Sequence, residues 1–288
     1  MAYLDRLAAC NNADMTRYKP LYGRGARIGW VHEENLDLLS RFPDVFSVAE
    51  RRVDLSLTLY DYDTATAALD GALRQLAADG HIRAWRGERY AVAARFGAEP
   101  LMGIERAACA LLGIRSWGIH VNGYVRREDG LHLWIAERAH DKPTYPGQLD
   151  NTVAGGQPEG MGLFDNLVKE CAEEASIGPD LARRAVPVGA VCYRHEAADG
   201  LKPDEMFLYD LELPADFIPV PDDGEVEAFH LIPAAQVMEI VRDTDRFKFN
   251  CAAVLIHFFI RHGLLDPDTE PDYAALCAGL NQGTLLGP

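Results

Sequence analysis

A glycine turn followed by an acidic amphipathic helix constrains this chain more than any other feature of its sequence. The segment from 155 to 177 reads GGQPEGMGLFDNLVKECAEEASI. Glu170, Glu173 and Glu174 lie at i, i+3 and i+4 on one helical face. The apolar residues of the segment form a neighbouring stripe: Phe164, Leu167, Val168, Cys171 and Ala175. The sequence therefore predicts a helix that packs by one face and holds carboxylates on the other.

The grouped carboxylates suit a divalent metal ion. Hard cations such as Mg²⁺ bind carboxylate oxygens together with water and substrate phosphate. Gly155 and Gly156 let the backbone turn sharply and come close to a ligand. An acidic run of this kind, taken alone, is more often a solvated helix face. Its surroundings therefore decide between the two interpretations.

The segment resembles the signature of the Nudix hydrolases. That signature has a glycine, five residues, a glutamate, seven residues, and then Arg-Glu-aliphatic-any-Glu-Glu-any-Gly-aliphatic. Here Gly155 is the glycine and the final block runs from 169 to 177. Met161 replaces the first glutamate, Lys169 replaces arginine and Ser176 replaces the last glycine, whereas the three helix glutamates are intact.

The resemblance implies a fold and a set of catalytic residues. The implied fold class is α/β (α+β): a Nudix α/β/α sandwich with a mixed sheet, preceded by a smaller α+β N-terminal domain. Glu170, Glu173 and Glu174 would bind Mg²⁺ or Mn²⁺, with a backbone carbonyl of Gly155 or Gly156 as a further ligand. Lys169 would pair with a catalytic carboxylate, although it lacks the planar fork of arginine.

The proton acceptor in several Nudix enzymes is a glutamate outside the signature helix. The stretch PDDGEVEAF offers Asp222, Asp223, Glu225 and Glu227 just before an expected strand. We choose Glu225 as the general base. A solvated acidic turn is the alternative interpretation.

Charge, length and cysteine content exclude several classes of protein. The formal net charge of −16 repels nucleic-acid phosphates and anionic membranes. The 288 residues, 48% of them hydrophobic, suffice for one large or two ordinary domains. Six scattered cysteines without a CxxC pair are expected to be buried thiols in a reducing compartment. Without a signal-like apolar stretch, a cytoplasmic protein is expected.

Periodicity divides the chain into three parts. Residues 1–116 are expected to form the accessory α+β domain, 117–263 the Nudix domain and 264–288 a C-terminal tail. The accessory domain is expected to contain a helix ending at Gly80, a hairpin turning at Arg86 and Gly87, and a second helix over 100–113. Alternating strands are expected from Gly118 onwards, and a helix from Pro233 to Arg242.

The flanking segments resemble one Nudix subgroup with an extra N-terminal domain, related to the Nudix part of thiamine pyrophosphokinase fusions. The segments are WRGERYAV, IERAA, GIHVNGYV, KPTYPGQLDNTVAGG and RFKFNCAAVLIHFFIRHG. The resemblance implies hydrolysis of oxidised thiamine diphosphate analogues, such as oxothiamine and oxythiamine diphosphate, to monophosphates. A homodimer is a further expectation, since Nudix domains often dimerise.

Binding such a substrate requires aromatic walls, a few polar groups and cations for the diphosphate. His120 and Asn122 share one strand face and can act as a pair. The expected substrate-binding residues are His120, Asn122, Trp134, Tyr145, Arg86, Arg138, Lys142 and Gly156. Single tryptophans are more often core residues, and most Lys and Arg side chains are simply solvated.

Two other functions stay open at this point. One is a hydrolase of nucleoside diphosphate derivatives such as ADP-ribose or dinucleotides, which would release AMP. The other is a non-catalytic binding module in which the altered signature no longer supports turnover. That module would be stabilised by its ligand without metal-dependent turnover.

Overall fold

The computed structural model describes residues 2–56, 58–142 and 144–282. Helices and strands alternate through its N-terminal part: α1 (Tyr3–Cys10), β1 (Tyr18–Gly23), β2 (Ala26–His32), α2 (Leu36–Ser40), β3 (Phe46–Val48), β4 (Val53–Leu55), α3 (Tyr62–Ala78), β5 (Arg89–Val92) and β6 (Met102–Glu105). The first four strands form one sheet in the order β2-β1-β4-β3, while β5 pairs with β6. We call residues 18–116 the N-terminal lobe.

The helix α3 forms where the apolar spacing predicts it. Asp61 caps it by accepting from the amide of Thr64, and Leu69, Leu73 and Leu76 are buried in the core of the lobe. That core also receives residues from the four-stranded sheet and from the β5–β6 pair. Both groups of strands are therefore held by one helix and one core.

Two local predictions in this lobe are wrong. The segment expected to be a helix over 100–113 forms β6 and then a short 3₁₀ helix, Arg106–Ala108. Met102 and Ile104 are both buried as alternate strand residues, and a Cβ on Gly103 would lie 2.2 Å from Cδ of Arg89. The hairpin expected at Arg86 and Gly87 is absent from the described residues, because β5 pairs with β6 instead.

A larger mixed sheet follows the N-terminal lobe. The elements of this part are β7 (Trp117–Arg127), β8 (Gly130–Arg138), β9 (Leu149–Asp150), β10 (Val153–Gly156), α4 (Leu163–Ala175), α5 (Pro179–Ala182), β11 (Val186–Cys192), β12 (His195–Ala197), β13 (Gly200–Lys202), β14 (Glu205–Glu212), β15 (Val226–Pro233), α6 (Ala234–Asp243), α7 (Phe249–Arg261) and α8 (Tyr273–Gly279). β12 and β13 form a separate antiparallel pair outside the large sheet. The main strand order is β11-β14-β7-β8-β15. β14 runs parallel to β7, and the other pairs are antiparallel.

The central strands β7 and β8 separate at one end and admit two short strands. They pair directly only from Tyr124 opposite Leu133 to Arg127 opposite Gly130. In the gap, β10 pairs with β7 and β9 pairs with β8.

The sharp turn expected at Gly155 and Gly156 is wrong, because they are the last residues of β10 and pair with Ile119 and Gly118. The chain turns after them, where Gly160 has a φ of 78°. We call residues 155–162 the signature turn, which lies at the open end of the sheet.

The sheet lies between helices. On one face Ile119 and Val121 pack with the apolar stripe of α4, in which Leu167, Cys171 and Ala175 are fully buried. The opposite face packs against α6 and α7. The predicted docking of the acidic helix and the predicted α+β class, with a mixed sheet between helices and a smaller α+β part before it, are both confirmed.

The first helix does not join the core of the N-terminal lobe. Tyr3, Leu7 and Cys10 of α1 belong to the core formed by α7, α8 and the large sheet. The hydroxyl of Tyr3 donates to the carbonyl of Met238 at 3.2 Å, and Cys10 donates to the carbonyl of Phe249. The division at 116 and 263 stays a prediction, and residues 283–288 of the expected tail lie outside the described part.

Five cysteines are buried, as expected, but Cys277 is exposed on α8. The expectation of six buried thiols is therefore wrong at that position, which lies on the outer face of a short helix. Within the described ranges, none of the helices is both long and apolar enough to cross a membrane.

Candidate metal and diphosphate site

The signature turn and the acidic helix meet where side chains of the helix contact the backbone of Gly155 and Gly156. A Cβ on Gly155 would lie 2.4 Å from Cγ and Cδ of Glu170, so only glycine leaves room for that side chain. The side chain of Asn166, fully buried in the first turn of α4, donates to the carbonyl of Gly156 at 2.8 Å. The turn therefore sits directly against the first glutamate of the cluster.

Glu174 is the buried member of the helix glutamates. Its Oε2 accepts the amide of Ala154 in β10 at 2.9 Å. Burial raises the pKa of Glu174 well above its usual range, and the nearby carboxylates of Asp150, Glu170 and Asp223 raise it further. A carboxylate in this position is costly to keep charged unless a cation lies close to it.

Two residues from the loop before β15 complete an acidic group around Glu174. Carboxylate oxygens of Glu174, Asp223 and Glu225 all lie within 4.8 Å of one another. Burial raises the pKa of Asp223, and the charge of Glu225 also raises it. Oxygen donors converging from a helix and a loop, with excess negative charge, fit a hard divalent cation such as Mg²⁺ or Mn²⁺. We call these three residues and Glu170 the acidic cluster.

Glu225 differs from Glu174 and Asp223 because it forms an ion pair with a lysine. Lys142, whose side chain is largely buried, forms an ion pair with its Oε2. Burial acts to raise the pKa of Glu225, but the hydrogen bond and charge of Lys142 outweigh it and lower the pKa overall. Glu225 is therefore held in its charged form next to Glu174.

Lys169 and Glu173 lie on the outer side of the helix. The Lys169 ammonium is 3.2 Å from Oε1 of Glu170 and also pairs with Glu173. The side chain of Glu173 is 47% exposed, compared with 14% for Glu170. Glu173 contacts Lys169 and is not part of the Glu174, Asp223 and Glu225 group.

At Met161 and Ser176, where the chain also departs from the Nudix signature, other hydrogen bonds hold the backbone. Where the early glutamate is missing, Gln157 donates to the carbonyl of Met161 at 2.6 Å and braces the turn. Ser176 ends α4 with a left-handed φ of 52°, a conformation that favours glycine. Its hydroxyl donates to the carbonyl of Val220 at 2.9 Å, so it ties the helix end to the loop carrying Asp223.

His120 and Asn122 lie in the interior rather than beside the acidic cluster. Asn151 links them: its Oδ1 is 2.8 Å from Nδ1 of His120, and its amide donates to Oδ1 of Asn122. Burial lowers the pKa of His120 to about 4, so its imidazole is neutral at pH 7. The two side chains share a buried hydrogen-bond network, and their expected role in substrate binding stays a prediction.

Arg138 and Asp150 organise the loop that follows β8. Arg138 donates to a carboxylate oxygen of Asp150 at 3.0 Å and to the carbonyls of Thr144 and Tyr145. Lys248, which is also largely buried, lies 3.6 Å from Asp150. The sequence analysis missed Asp150 and Lys248, because nothing in their immediate sequence distinguishes them from surface charges.

The two aromatic candidates have separate environments. Trp134 is buried among the apolar residues on the α4 face of the sheet, and its Nε1 has no hydrogen-bond partner among the described residues. Tyr145 has a left-handed φ of 53° and lines a cavity of about 170 Å³ with Phe247 and Phe249. Neither belongs to the acidic cluster.

The N-terminal lobe touches the signature turn directly. A Cβ on Gly156 would lie 1.7 Å from the hydroxyl of Tyr90, and the hydroxyl of Tyr62 donates to Glu159 at 2.6 Å. The amide of Glu159 also donates to the carbonyl of Arg89. Arg86, on an exposed loop of the same lobe, is close enough to Glu225 to lower its pKa.

Comparisons with known proteins decide the family. Residues 2–116 match a family model described as a domain of unknown function (DUF4743). Over 285 residues the chain is 40% identical to Nudix hydrolase 24, chloroplastic, of Arabidopsis thaliana, covering 98% of this chain and 78% of that protein. The chain belongs to the Nudix hydrolase family. Nudix hydrolase 20, chloroplastic, of the same plant is 40% identical over 279 residues, covering 93% of this Nudix hydrolase and 75% of its relative.

A solved crystal structure from Deinococcus radiodurans aligns with this Nudix hydrolase at 19% identity and a TM-score of 0.45, covering 58% of this chain and 97% of the other. The family relationship confirms the prediction of an enzyme that hydrolyses a diphosphate bond. Nudix hydrolases use divalent metal ions, and the acidic cluster supplies the oxygen donors that such an ion needs.

Proposed function

We propose that this Nudix hydrolase cleaves oxidised thiamine diphosphate analogues, such as oxothiamine and oxythiamine diphosphate, to monophosphates with Mg²⁺ or Mn²⁺. The observation that supports metal-dependent hydrolysis is the convergence of Glu174, Asp223 and Glu225 beside the signature turn. We choose this substrate because the flanking segments resemble the thiamine-related Nudix subgroup.

The proposed metal ligands come from the helix and the turn. Glu174 and Glu170 are the direct ligands, the carbonyl of Gly155 can add a further one, and Glu173 acts from outside through Lys169. When bound, the metal ion neutralises phosphate oxygens and lowers the pKa of a water.

Glu225 is the proposed proton acceptor. Because Lys142 keeps its pKa low, Glu225 is charged and can accept a proton from the attacking water. A bond then forms between the water oxygen and phosphorus while the bridging P–O bond breaks. The products are phosphate and the monophosphate of the thiamine analogue.

Turnover of a substrate panel tests this proposal. The panel contains thiamine diphosphate, its oxo and oxy analogues, ADP-ribose, NADH and 8-oxo nucleoside triphosphates, each with Mg²⁺, Mn²⁺ or EDTA. We expect metal-dependent conversion of the thiamine analogues to be fastest. Faster release of AMP from ADP-ribose or NADH would instead support the nucleoside diphosphate alternative. Ligand stabilisation without turnover of any compound would contradict the proposal.

A further inference from the structure

The β5–β6 pair contacts the signature turn. Arg106 follows β6 directly, and its amide donates to the carbonyl of Glu88 at 2.9 Å. Tyr90, two residues further along, places its hydroxyl against Gly156 of the signature turn. The guanidinium of Arg106 lies 5.7 Å from the centre of the Tyr90 ring. Arg106 is therefore fixed at the contact between the N-terminal lobe and the turn.

The guanidinium of Arg106 is accessible at this contact. Its side chain is 47% exposed, and Nη1 donates to Glu88 at 2.8 Å. Across the ranges that the structure describes, Glu88 is its only side-chain hydrogen-bond partner, which leaves Nε and Nη2 for a ligand. Arginine presents these donors in a planar fork that matches phosphate oxygens.

A buried carboxylate holds this part of the lobe in shape. Glu105 accepts the amides of Arg86 and Gly87 at 2.9 and 3.0 Å, and the amide of Ala107 at 3.3 Å. One side chain thus fixes the loop carrying Arg86 and the start of the 3₁₀ helix carrying Arg106. Both arginines are positioned by the fold of the lobe.

The charge of Arg106 reaches two different members of the acidic cluster. It acts to lower the pKa of Glu170 on the helix and of Glu225 on the loop, although burial is the larger influence on both. The two carboxylates come from different elements, the helix α4 and the loop before β15. Arg106 therefore lies near both of them.

The three cations that the sequence assigned to the site within residues 117–263 already have carboxylate partners. Lys142 is paired with Glu225, Lys169 with Glu170 and Glu173, and Arg138 with Asp150. The whole chain carries a net charge of −16. An anionic substrate approaching the acidic cluster consequently needs further positive charge.

We propose that Arg106 of the N-terminal lobe binds the diphosphate of the substrate beside the signature turn and the acidic cluster. This inference rests on the proposed diphosphate chemistry but not on the thiamine group. It gives the domain of unknown function a role: it supplies a phosphate-binding residue to the Nudix site. Arg86 on the neighbouring loop adds positive charge at the same edge.

Binding of methylenediphosphonate in the presence of Mn²⁺ tests the proposal on the full chain. This probe has a P–C–P linkage that cannot be hydrolysed and has no organic group. By calorimetry we expect Arg106→Ala to weaken its binding about tenfold or more, since a hydrogen bond to a charged group is lost. Arg74→Ala is the matched control, because Arg74 is exposed in the same lobe and contacts Asp70 and the ring of Trp85.

A second variant separates ligand binding from a merely structural role. Glu88→Gln removes the ion pair with Arg106 but keeps the guanidinium, so we expect it to bind the probe like the wild type. Added guanidinium ion should partly restore binding to Arg106→Ala and not change the Arg74→Ala control. Equal loss in Glu88→Gln and Arg106→Ala, wild-type binding by Arg106→Ala, or no binding by the wild type would overturn the proposal.

The outcome is independent of the choice of organic substrate. If the panel shows that a nucleotide is preferred, the thiamine proposal fails while the probe still reports on Arg106. For whichever diphosphate is turned over, we expect Arg106→Ala to raise KM more than Arg74→Ala does. An unchanged KM would count against Arg106.

Discussion

At the scale of single residues, three glutamates that look equivalent in sequence have different surroundings. Glu174 is buried and bonded to Ala154, Glu170 lies against Gly155, and Glu173 is half exposed beside Lys169. Helical spacing could predict that they share a side of the helix. It could not predict which one is buried, because that depends on β10 and on the loop carrying Asp223.

Glu174→Gln should abolish most turnover without unfolding the protein. The amide side chain can still accept from Ala154, but it removes a charged metal ligand, which can be worth several kcal/mol in the transition state. We expect a loss of about 100-fold or more in kcat at saturating Mg²⁺. Glu173→Gln is the control, and its loss should be much smaller. Near-wild-type activity of Glu174→Gln would rule out the assignment of Glu174.

Asp204 should make stability depend on pH. Burial raises its pKa to about 6, and the hydroxyl of Tyr193 donates to it. Because the folded state binds this proton more tightly than the unfolded state, its favourable contribution is complete below about pH 4. That contribution is lost as the pH rises through 6.

We therefore expect Asp204→Asn to raise the free energy of unfolding by about 1–3 kcal/mol at pH 8, with the gain shrinking towards pH 4.5. Urea denaturation at both pH values measures it. Asp199→Asn, an exposed site paired with Lys202, is the control. A gain of the same size at every pH would contradict the raised pKa.

At the scale of elements, sequence patterns predicted the long elements better than the short ones. In the helix α3 and the strands β7 and β8, apolar residues keep one regular spacing over many positions. That spacing is enough to distinguish a helix from a strand. The segment from Met102 to Glu105 is too short for periodicity to distinguish a strand from a helix. Its conformation is decided by pairing with β5 and by the space that Gly103 leaves for Arg89.

An added atom at the contact between β10 and the N-terminal lobe should destabilise the protein. Gly156→Ala would place a Cβ 1.7 Å from the Tyr90 hydroxyl, so we expect it to lower the free energy of unfolding by about 1–3 kcal/mol. Gly71→Ala is the control: it lies within α3 with open space around it and should raise stability by about 0.5–1 kcal/mol.

Denaturation of the double variant Tyr90→Ala, Gly156→Ala completes the test. Because the clash disappears with the tyrosine ring, the combined loss should be smaller than the sum of the two single losses. Strict additivity would show that the two residues are not coupled.

At the scale of the whole molecule, the residues of the acidic cluster and Arg86 of the N-terminal lobe could be named from sequence, but Arg106 and Tyr90 of the same lobe could not. The signature helix can be recognised from its local sequence pattern. Glu225 was named as a candidate because it precedes an expected strand. Arg106 and Tyr90 reach the site through contacts between residues far apart in the chain. Such contacts leave no periodic trace in a single sequence.

Leu7→Ala should destabilise the C-terminal part of the protein rather than the lobe nearest in sequence. Leu7 is buried between α7 and α8, and its loss should cost about 2–4 kcal/mol. Hydrogen exchange should show reduced protection in α7. Leu73→Ala, a buried leucine of α3, should reduce protection in α3 instead. If Leu7→Ala left α7 unaffected, the packing of α1 described above would be contradicted.

The position of α1 also determines when its apolar face is covered during synthesis of the protein. Tyr3 and its partner Met238 are 235 residues apart, so α1 is made long before the helices that cover it. At typical ribosomal speeds the apolar face of α1 stays uncovered for roughly 10–50 s. The lobe of residues 18–116 can fold during that interval. The helix α1 packs against α7 only after α7 has been synthesised. A chaperone that shields α1 on the nascent chain would act in this interval.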